Sequence, residues 1–546
     1  MFVQETKSTQ NGKTYSSFLV RESFRTPKGP RSRTVCNITA LPPHLRELIA
    51  SALKGSSLSN LDSLQLQKAL DFGGLAVLEN LWQRLNLDSL LAHLGSARQR
   101  SLLKAMIFAR LLHPGSKLAL KSRARGTLLA SACGLPMDEP FDEDDLYDAL
   151  DAISGNWCSL EKKLAKSAFK SPVSLVLYDL TSVYFEGAGP AQLARYGHSR
   201  DHRGDRPQII LAVATDTHGV PIHLSVLRGN RADNTTLKGI LALLKRRHAI
   251  TDAVFVFDGG MSSRLNLEAL QEGQLEFVTR LSNATLSALI KKLPAEVQLE
   301  LGDHSRVLDV EHEGKRYVVA GGPWRRQRDK ERREVRISKG EAALLKLAAV
   351  ERKQADAQKL ASQAGRALER LKAHKYFSYH VDGAGRLQWE RKQDAICDEE
   401  AYDGWYLLHT NLKAQNASAS EVLAHYKNLL EVESAFCELK SYMQVRPVYH
   451  HRSDRVVNHI RICFIAYWLS ARLSVEWKAK GVTTDVPELL RELQSIRMGY
   501  LRLGEKGDQR LTRLTQVPSE LNEKLDRLDL LSLFSKPPKW ATNVAK

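Results

Sequence analysis

Ser174-Leu-Val-Leu-Tyr-Asp179-Leu-Thr-Ser-Val-Tyr-Phe-Glu186 is the stretch whose reading decides the fold. Apolar and β-branched residues run through it with little interruption, as in a strand covered on both faces, and it carries the carboxylate Asp179. A lone Asp in such a place is more often a turn cap, so its meaning depends on what other acids reach it. A second buried-strand pattern, Ala253-Val-Phe-Val-Phe-Asp258-Gly-Gly260, stops at an Asp before a glycine turn. Between the two lie Gln208-Ile-Ile-Leu-Ala-Val-Ala-Thr215, the turn Asp216-Thr-His-Gly219 and Val220-Pro-Ile-His-Leu-Ser-Val-Leu227, which predict a three-strand meander. Leu237, Ile240, Leu241, Leu243 and Leu244 form a helical stripe over 234–247, and 262–272 and 274–280 read as helix and strand. The predicted order is β-β-β-α-β-α-β.

A third acid stands in Tyr426-Lys-Asn-Leu-Leu-Glu-Val-Glu433-Ser-Ala-Phe-Cys-Glu-Leu-Lys440, a segment free of Gly and Pro that reads as one helix. Tyr426, Glu433 and Lys440 follow one another at seven-residue steps, close to two turns, so they share a face while Glu431 and Glu438 point elsewhere. Carboxylates at two strand ends and on one helix face suit divalent cations: their oxygens are hard ligands, and two Mg²⁺ or Mn²⁺ ions held by Asp179, Asp258 and Glu433 would serve phosphodiester chemistry.

The element order, with its acids on the first and fourth strands and a late helix, resembles the ribonuclease H-like catalytic core. The segment 426–440 resembles the Tyr-Arg-Glu-Lys signature of bacterial insertion-sequence DDE transposases, with Tyr426, Glu433 and Lys440 in place and Leu429 where the family has Arg. Asp258-Gly-Gly-Met261 and Val445-Arg-Pro-Val-Tyr-His450 look like the long-chain branch of that group. The resemblance implies that Asp179, Asp258 and Glu433 are catalytic metal ligands and that Tyr426, Lys440 and Arg446 contact DNA. In cut-and-paste members a Trp near the end of a β-rich insertion stacks on a base flipped out of the duplex; Trp405 is similar in context, a core Trp in a strand being the other reading.

The 546 residues carry 80 Lys and Arg against 62 acids, a net charge of +18, which favours polyanionic partners. The six cysteines lack paired spacing, so neither a disulfide framework nor a cysteine zinc site is expected, and His198-Ser-Arg-Asp-His202 reads as a loop. No secretory signal or membrane span is legible, and the expected compartment is the bacterial cytoplasm, at the nucleoid. The expected fold class is α/β, a ribonuclease H-like mixed sheet flanked by helices and interrupted by a β-rich plus helical insertion. The expected divisions are a strand and basic-loop region (1–60), a mainly helical DNA-binding region (61–170), the core in two parts (171–290 and 413–480), the insertion (291–412) and a helical C-terminal region (481–546). Within 61–170, Arg98, Arg100, Lys104, Lys117, Lys121, Arg123 and Arg125 are expected to serve DNA. A polar helix over 339–375 is expected to follow the basic run Arg325 to Arg336.

The resemblance implies a transposase that cleaves element ends and joins them to target DNA. Its partners would be double-stranded DNA with terminal inverted repeats and target DNA, bound as a homodimer, with no membrane. A metal-dependent nuclease without strand transfer and a non-catalytic DNA-binding derivative are the alternatives.

Overall fold

Three antiparallel strands open the chain: β1 (Phe2–Gln10), β2 (Lys13–Thr26) and β3 (Gly29–Asn37). The stretch expected to be a basic loop is therefore a hairpin turning at Pro27-Lys28, with Arg33 paired across it to Glu22 at 2.7 Å. The computed structural model describes residues 1–10, 13–55, 64–137, 141–169, 172–293, 307–349, 357–503 and 509–542. The ends of the expected 61–170 region, residues 61–63 and 170, lie outside them.

That region is not helical throughout. It starts with a strand, β4 (Gln65–Asp71), before the helices Gly73–Arg84, Ala97–Leu112, Glu143–Asp151 and Trp157–Ala168. Two of its basic residues face inward: Lys104 and Lys117 are buried. Lys104 pairs with buried Glu79 at 2.5 Å and lies over the rings of Trp82 and Phe108. Neither is available to a phosphate.

The central sheet is built as the apolar runs predict. Its strands β5 (Leu175–Tyr184), β6 (Gln208–Thr215) and β7 (Pro221–Arg228) form an antiparallel meander. The Asp216 carboxylate accepts from the His218 and Val220 amides at 2.9 and 2.8 Å, and Gly219 supplies the positive φ that closes the turn. After the helix Leu237–His248, β8 (Val254–Phe257) runs parallel to β5; after the helix Arg264–Glu272, β9 (Glu276–Arg280) runs parallel to β8.

Beyond β9 the sheet continues. The hairpin β10 (Val307–His312) and β11 (Lys315–Gly321) turns at Glu313-Gly314. The strands β12 (Phe377–Val381) and β13 (Leu387–Arg391) form a separate hairpin, and β14 (Trp405–Thr410) pairs with both β11 and β9. The eight strands lie in the order β10-β11-β14-β9-β8-β5-β6-β7. The expected helix over 339–375 is instead Pro323–Ala348 and Ala357–Arg370, and the basic run lies inside the first. Residues 350–356, where the expected helix would have crossed, lie outside the described residues.

The 27-residue helix Ser453–Ala479 covers the meander, burying Ile460, Phe464, Trp468 and Leu473 against it. The C-terminal region also departs from expectation: β15 (Arg497–Leu503) and β16 (Gln509–Leu514) pair as a hairpin, and β15 takes β4 on its other edge. Local periodicity could not reveal a strand whose partner lies at the far end of the chain.

Replacing Lys104 by Met leaves the Glu79 carboxylate buried without its cation, which costs roughly 3–5 kcal/mol. Burial already pushes the Glu79 pKa up against the pull of Lys104. The expected result is a clear fall in the thermal midpoint for Lys104→Met, largely restored when Glu79→Gln is added; additive losses in the double variant contradict the pairing.

Candidate active site

Asp179 sits on β5 directly opposite Val213 of β6, so its side chain shares that strand face while Tyr178 turns to the other. With β6 on one side and β8 on the other, β5 cannot shift without breaking two ladders. Asp258 follows the last residue of β8. The next residue is Gly by necessity: a Cβ on Gly259 would meet the Arg280 carbonyl oxygen at 2.7 Å, so only a bare backbone turns this tightly against β9. Glu433 projects from the helix Leu429–Cys437, which buries Leu429, Val432, Ala435 and Phe436 on the sheet and leaves Glu433 on its open side.

These placements bring the three acids together. Asp179, Asp258 and Glu433 line one cleft of about 440 Å³, with Asp233, Arg200 and His198 completing its wall. Burial pushes the Asp179 carboxyl up to about 7, with the charges of Asp258 and Glu433 adding to the rise and the Leu180 amide and Arg200 opposing it. Burial, then Asp258, also raises Glu433. Hard oxygen donors on three different elements, brought to one cleft, are a donor set that fits divalent cations of the Mg²⁺ type.

The DNA-contact candidates separate. Tyr426 stands at the cleft, its hydroxyl 3.5 Å from the Asp258 carboxylate and its ring 6.1 Å from that of Tyr406. Lys440 does not continue one regular helix from Tyr426. The segment is two helices, Ala419–Lys427 and Leu429–Cys437, followed by a π-helical turn, Glu438–Tyr442. The wider turn sends the Lys440 ammonium to Asp201 at 2.8 Å, and Arg446 reaches the same carboxylate at 2.6 Å. Leu429, at the position of the signature Arg, is 6% exposed and belongs to the core.

Trp405 is a core residue. It is 1% exposed, packed with Leu286, Val319 and Leu407, and lies so close to Gly321 that a Cβ there would meet its ring at 2.8 Å. No face of its ring is open to a base.

The loop His198-Ser-Arg-Asp-His202 holds what sequence reasoning missed. The Arg200 amide donates to Ser182 Oγ at 2.9 Å and its guanidinium to Asp233 at 2.5 Å, which sets a fixed positive charge into the cleft. Its mixture of charge types with no periodicity offered no signal. A second, basic groove of about 530 Å³ is lined by Arg280, Arg325, Arg328, Arg332, Arg336 and Lys375 among acids. The Arg325 guanidinium lies 4.8 Å from the Tyr406 ring, so a line of contacts joins this groove through Tyr406 and Tyr426 to Asp258.

The family described as the transposase DDE domain matches residues 171–469, which span β5, β8 and the Glu433 helix. The chain belongs to that family, and a transposase is what its central region defines. No curated protein matches the chain. Among solved structures it is similar to the piggyBac transposase synaptic complex with hairpin DNA, at 10% identity and a TM-score of 0.38, over 78% of this chain and 80% of that one. Likeness at that level assigns no residue equivalences.

Truncating Trp405 to Ala would open a large core cavity and cost about 3–5 kcal/mol. The expected outcome is a lowered thermal midpoint, with DNA affinity recovered in Trp405→Phe once folding is restored. An unchanged midpoint combined with loss of a DNA-processing step would return the residue to a base-stacking role.

Proposed function

We propose that this protein cleaves the ends of an insertion element and joins them to target DNA, with Asp179, Asp258 and Glu433 as its catalytic metal ligands. The observation that carries this reading is the convergence of the three carboxylates, from two adjacent parallel strands and a helix, on one cleft inside the family-matched region. The strand order β7-β6-β5-β8-β9 with β5, β8 and β9 parallel supports a ribonuclease H-like core.

The residues divide the work. Asp179, Asp258 and Glu433 would hold two Mg²⁺ or Mn²⁺ ions. Such ions, when bound, orient the attacking oxygen and spread the charge of the phosphodiester during in-line displacement. Arg200, locked by Asp233, would bind a non-bridging phosphate oxygen beside the scissile bond, a task the signature gives to groups here engaged elsewhere. Tyr426 would place its hydroxyl beside the same phosphate while keeping Asp258 oriented. Lys440 and Arg446 would hold the 198–202 loop in place through Asp201, and with it Arg200. The Arg-rich groove would carry the flanking duplex by its phosphates, and Trp324, which stands 72% exposed, would offer an open aromatic face to an extruded base.

Two reactions follow in order: water attacks a phosphodiester at the element end and the P–O3′ bond breaks, and the freed 3′-hydroxyl then attacks a phosphodiester of the target, forming a new P–O bond as the target's own P–O3′ bond breaks and its 3′-hydroxyl leaves. The DNA would carry terminal inverted repeats, and two copies of the chain would hold two ends. The setting would be the bacterial cytoplasm, at the nucleoid. Among the described residues no helix is long and apolar enough to cross a membrane.

Asp179→Ala, Asp258→Ala and Glu433→Ala should each lower cleavage of end-containing DNA at least ~100-fold while leaving gel-shift affinity intact. EDTA should abolish cleavage and added Mg²⁺ or Mn²⁺ restore it. Cleavage at the wild-type rate in Glu433→Ala sinks the assignment of the acids. Pre-cleaved ends presented with target plasmid should yield joined products; cutting without joining would identify a nuclease instead. Arg200→Gln should cut the rate by about 10-fold or more at unchanged fold.

A further inference from the structure

The sheet carries a second group of metal-binding residue types, on the face opposite Asp179. His223 of β7 pairs with Ala214, on the face whose core includes Tyr178, Ala212 and Ala214, whereas Asp179 lies opposite Val213. His248 ends the helix that packs on that same face, where Ala249 adopts a left-handed conformation and turns the chain away. Glu161 reaches in from the helix Trp157–Ala168 and is fully buried. One donor atom from each of Glu161, His223 and His248 lies within 4.8 Å of the others.

Hydrogen bonding leaves part of this cluster unmatched. Glu161 Oε1 accepts from the Leu224 amide at 3.1 Å, and Oε2, facing the histidines, accepts only a long 3.4 Å bond from Arg247. His223 Nδ1 lies 3.0 Å from Oε2, within ion-pair range, but makes no hydrogen bond. The other nitrogen of that ring is 2.8 Å from Ser225 Oγ, the kind of contact that orients a ligating imidazole. Neither nitrogen of His248 has a hydrogen-bond partner, although its side chain is only 3% exposed and its Nε2 lies 3.9 Å from Oε2. A buried ring with both nitrogens unmatched is costly unless something binds them.

We propose that Glu161, His223 and His248 form a Zn²⁺-class metal site, distinct from the acid cleft, that fastens the Trp157–Ala168 helix, β7 and the end of the Leu237–His248 helix together. Two imidazoles and one carboxylate are a donor set for a borderline transition metal and not for Mg²⁺. Metal–ligand bonds of about 2.0–2.1 Å in tetrahedral array place donor atoms roughly 3.3 Å apart. The observed separations of 3.0 and 3.9 Å lie on either side of that value. His248 also lines an open cleft of about 540 Å³, the side from which a water would complete a fourth position. Arg247, 3.4 Å from Oε2, is the competing cation; its side chain is 27% exposed and can leave to solvent.

Co²⁺ is the probe, because four-coordinate Co²⁺ with imidazole ligands absorbs visible light strongly and six-coordinate oxygen-bound Co²⁺ weakly. EDTA-stripped full-length protein, in excess Mg²⁺ to fill the acid cleft, is titrated with Co²⁺. One equivalent should give an intense band that Zn²⁺ abolishes. Binding should weaken at least ~100-fold in His248→Ala and Glu161→Gln and persist unchanged in Asp258→Ala. Saturating Zn²⁺ should raise the thermal midpoint of the wild type and not of Glu161→Gln. No band in the wild-type protein, or a band lost in Asp258→Ala and kept in His248→Ala, overturns the proposal. The wild-type titration decides by itself should a variant fail to fold.

Discussion

Asp179, Asp258 and Glu433 repel one another across a narrow cleft, and the protein keeps them there by placing each on an element it cannot leave. Like charges in a site partly shielded from water repel more strongly than in bulk solvent, and a typical domain is held folded by only about 5–15 kcal/mol. That repulsion is resisted by two strand ladders on β5, by the glycine packed on β9 behind Asp258, and by the four buried side chains beneath Glu433. The apolar burial in this region opposes a charge arrangement that would otherwise spread apart. The raised pKa of Asp179 comes first from its burial and then from the neighbouring acids.

The same logic explains where the positive charge lies. Among the described residues, no lysine or arginine is bonded directly to the three acids, which would close the cleft. Arg200, which lines the cleft, is tied sideways to Asp233, and Lys440 and Arg446 are both spent on Asp201. The cleft therefore keeps an unsatisfied negative character of the kind that attracts metal cations, while the Arg-rich groove beside it attracts phosphates.

Much of the core was legible because its strands are covered on both faces and its helices carry a one-sided stripe. The seven elements from β5 to β9 appear in the predicted order, and the glycines after Asp258 marked a true turn. What was not legible depends on contacts between distant segments. Trp405 reads the same whether its ring is buried or open, and only the packing of Val319 and Gly321 against it decides. Lys440 was placed by assuming regular helical spacing, which a single π-helical turn alters. Lys104 and Lys117 look like surface charges until the helices that bury them are assembled. The 198–202 loop has no period to read at all, although it carries the cleft's fixed cation.

The pairing of β4 with β15 bears on how the polypeptide is made. Asp71 lies beside Arg497, so β4 leaves the ribosome long before the strand that covers its edge has been synthesised. The whole catalytic sheet can close in that interval, since all eight of its strands lie between the two partners. Until then the first segment presents open backbone donors and acceptors, the kind of edge that recruits the wrong neighbour. Closure of that edge thus comes late, when a C-terminal hairpin returns to a strand made before the central sheet.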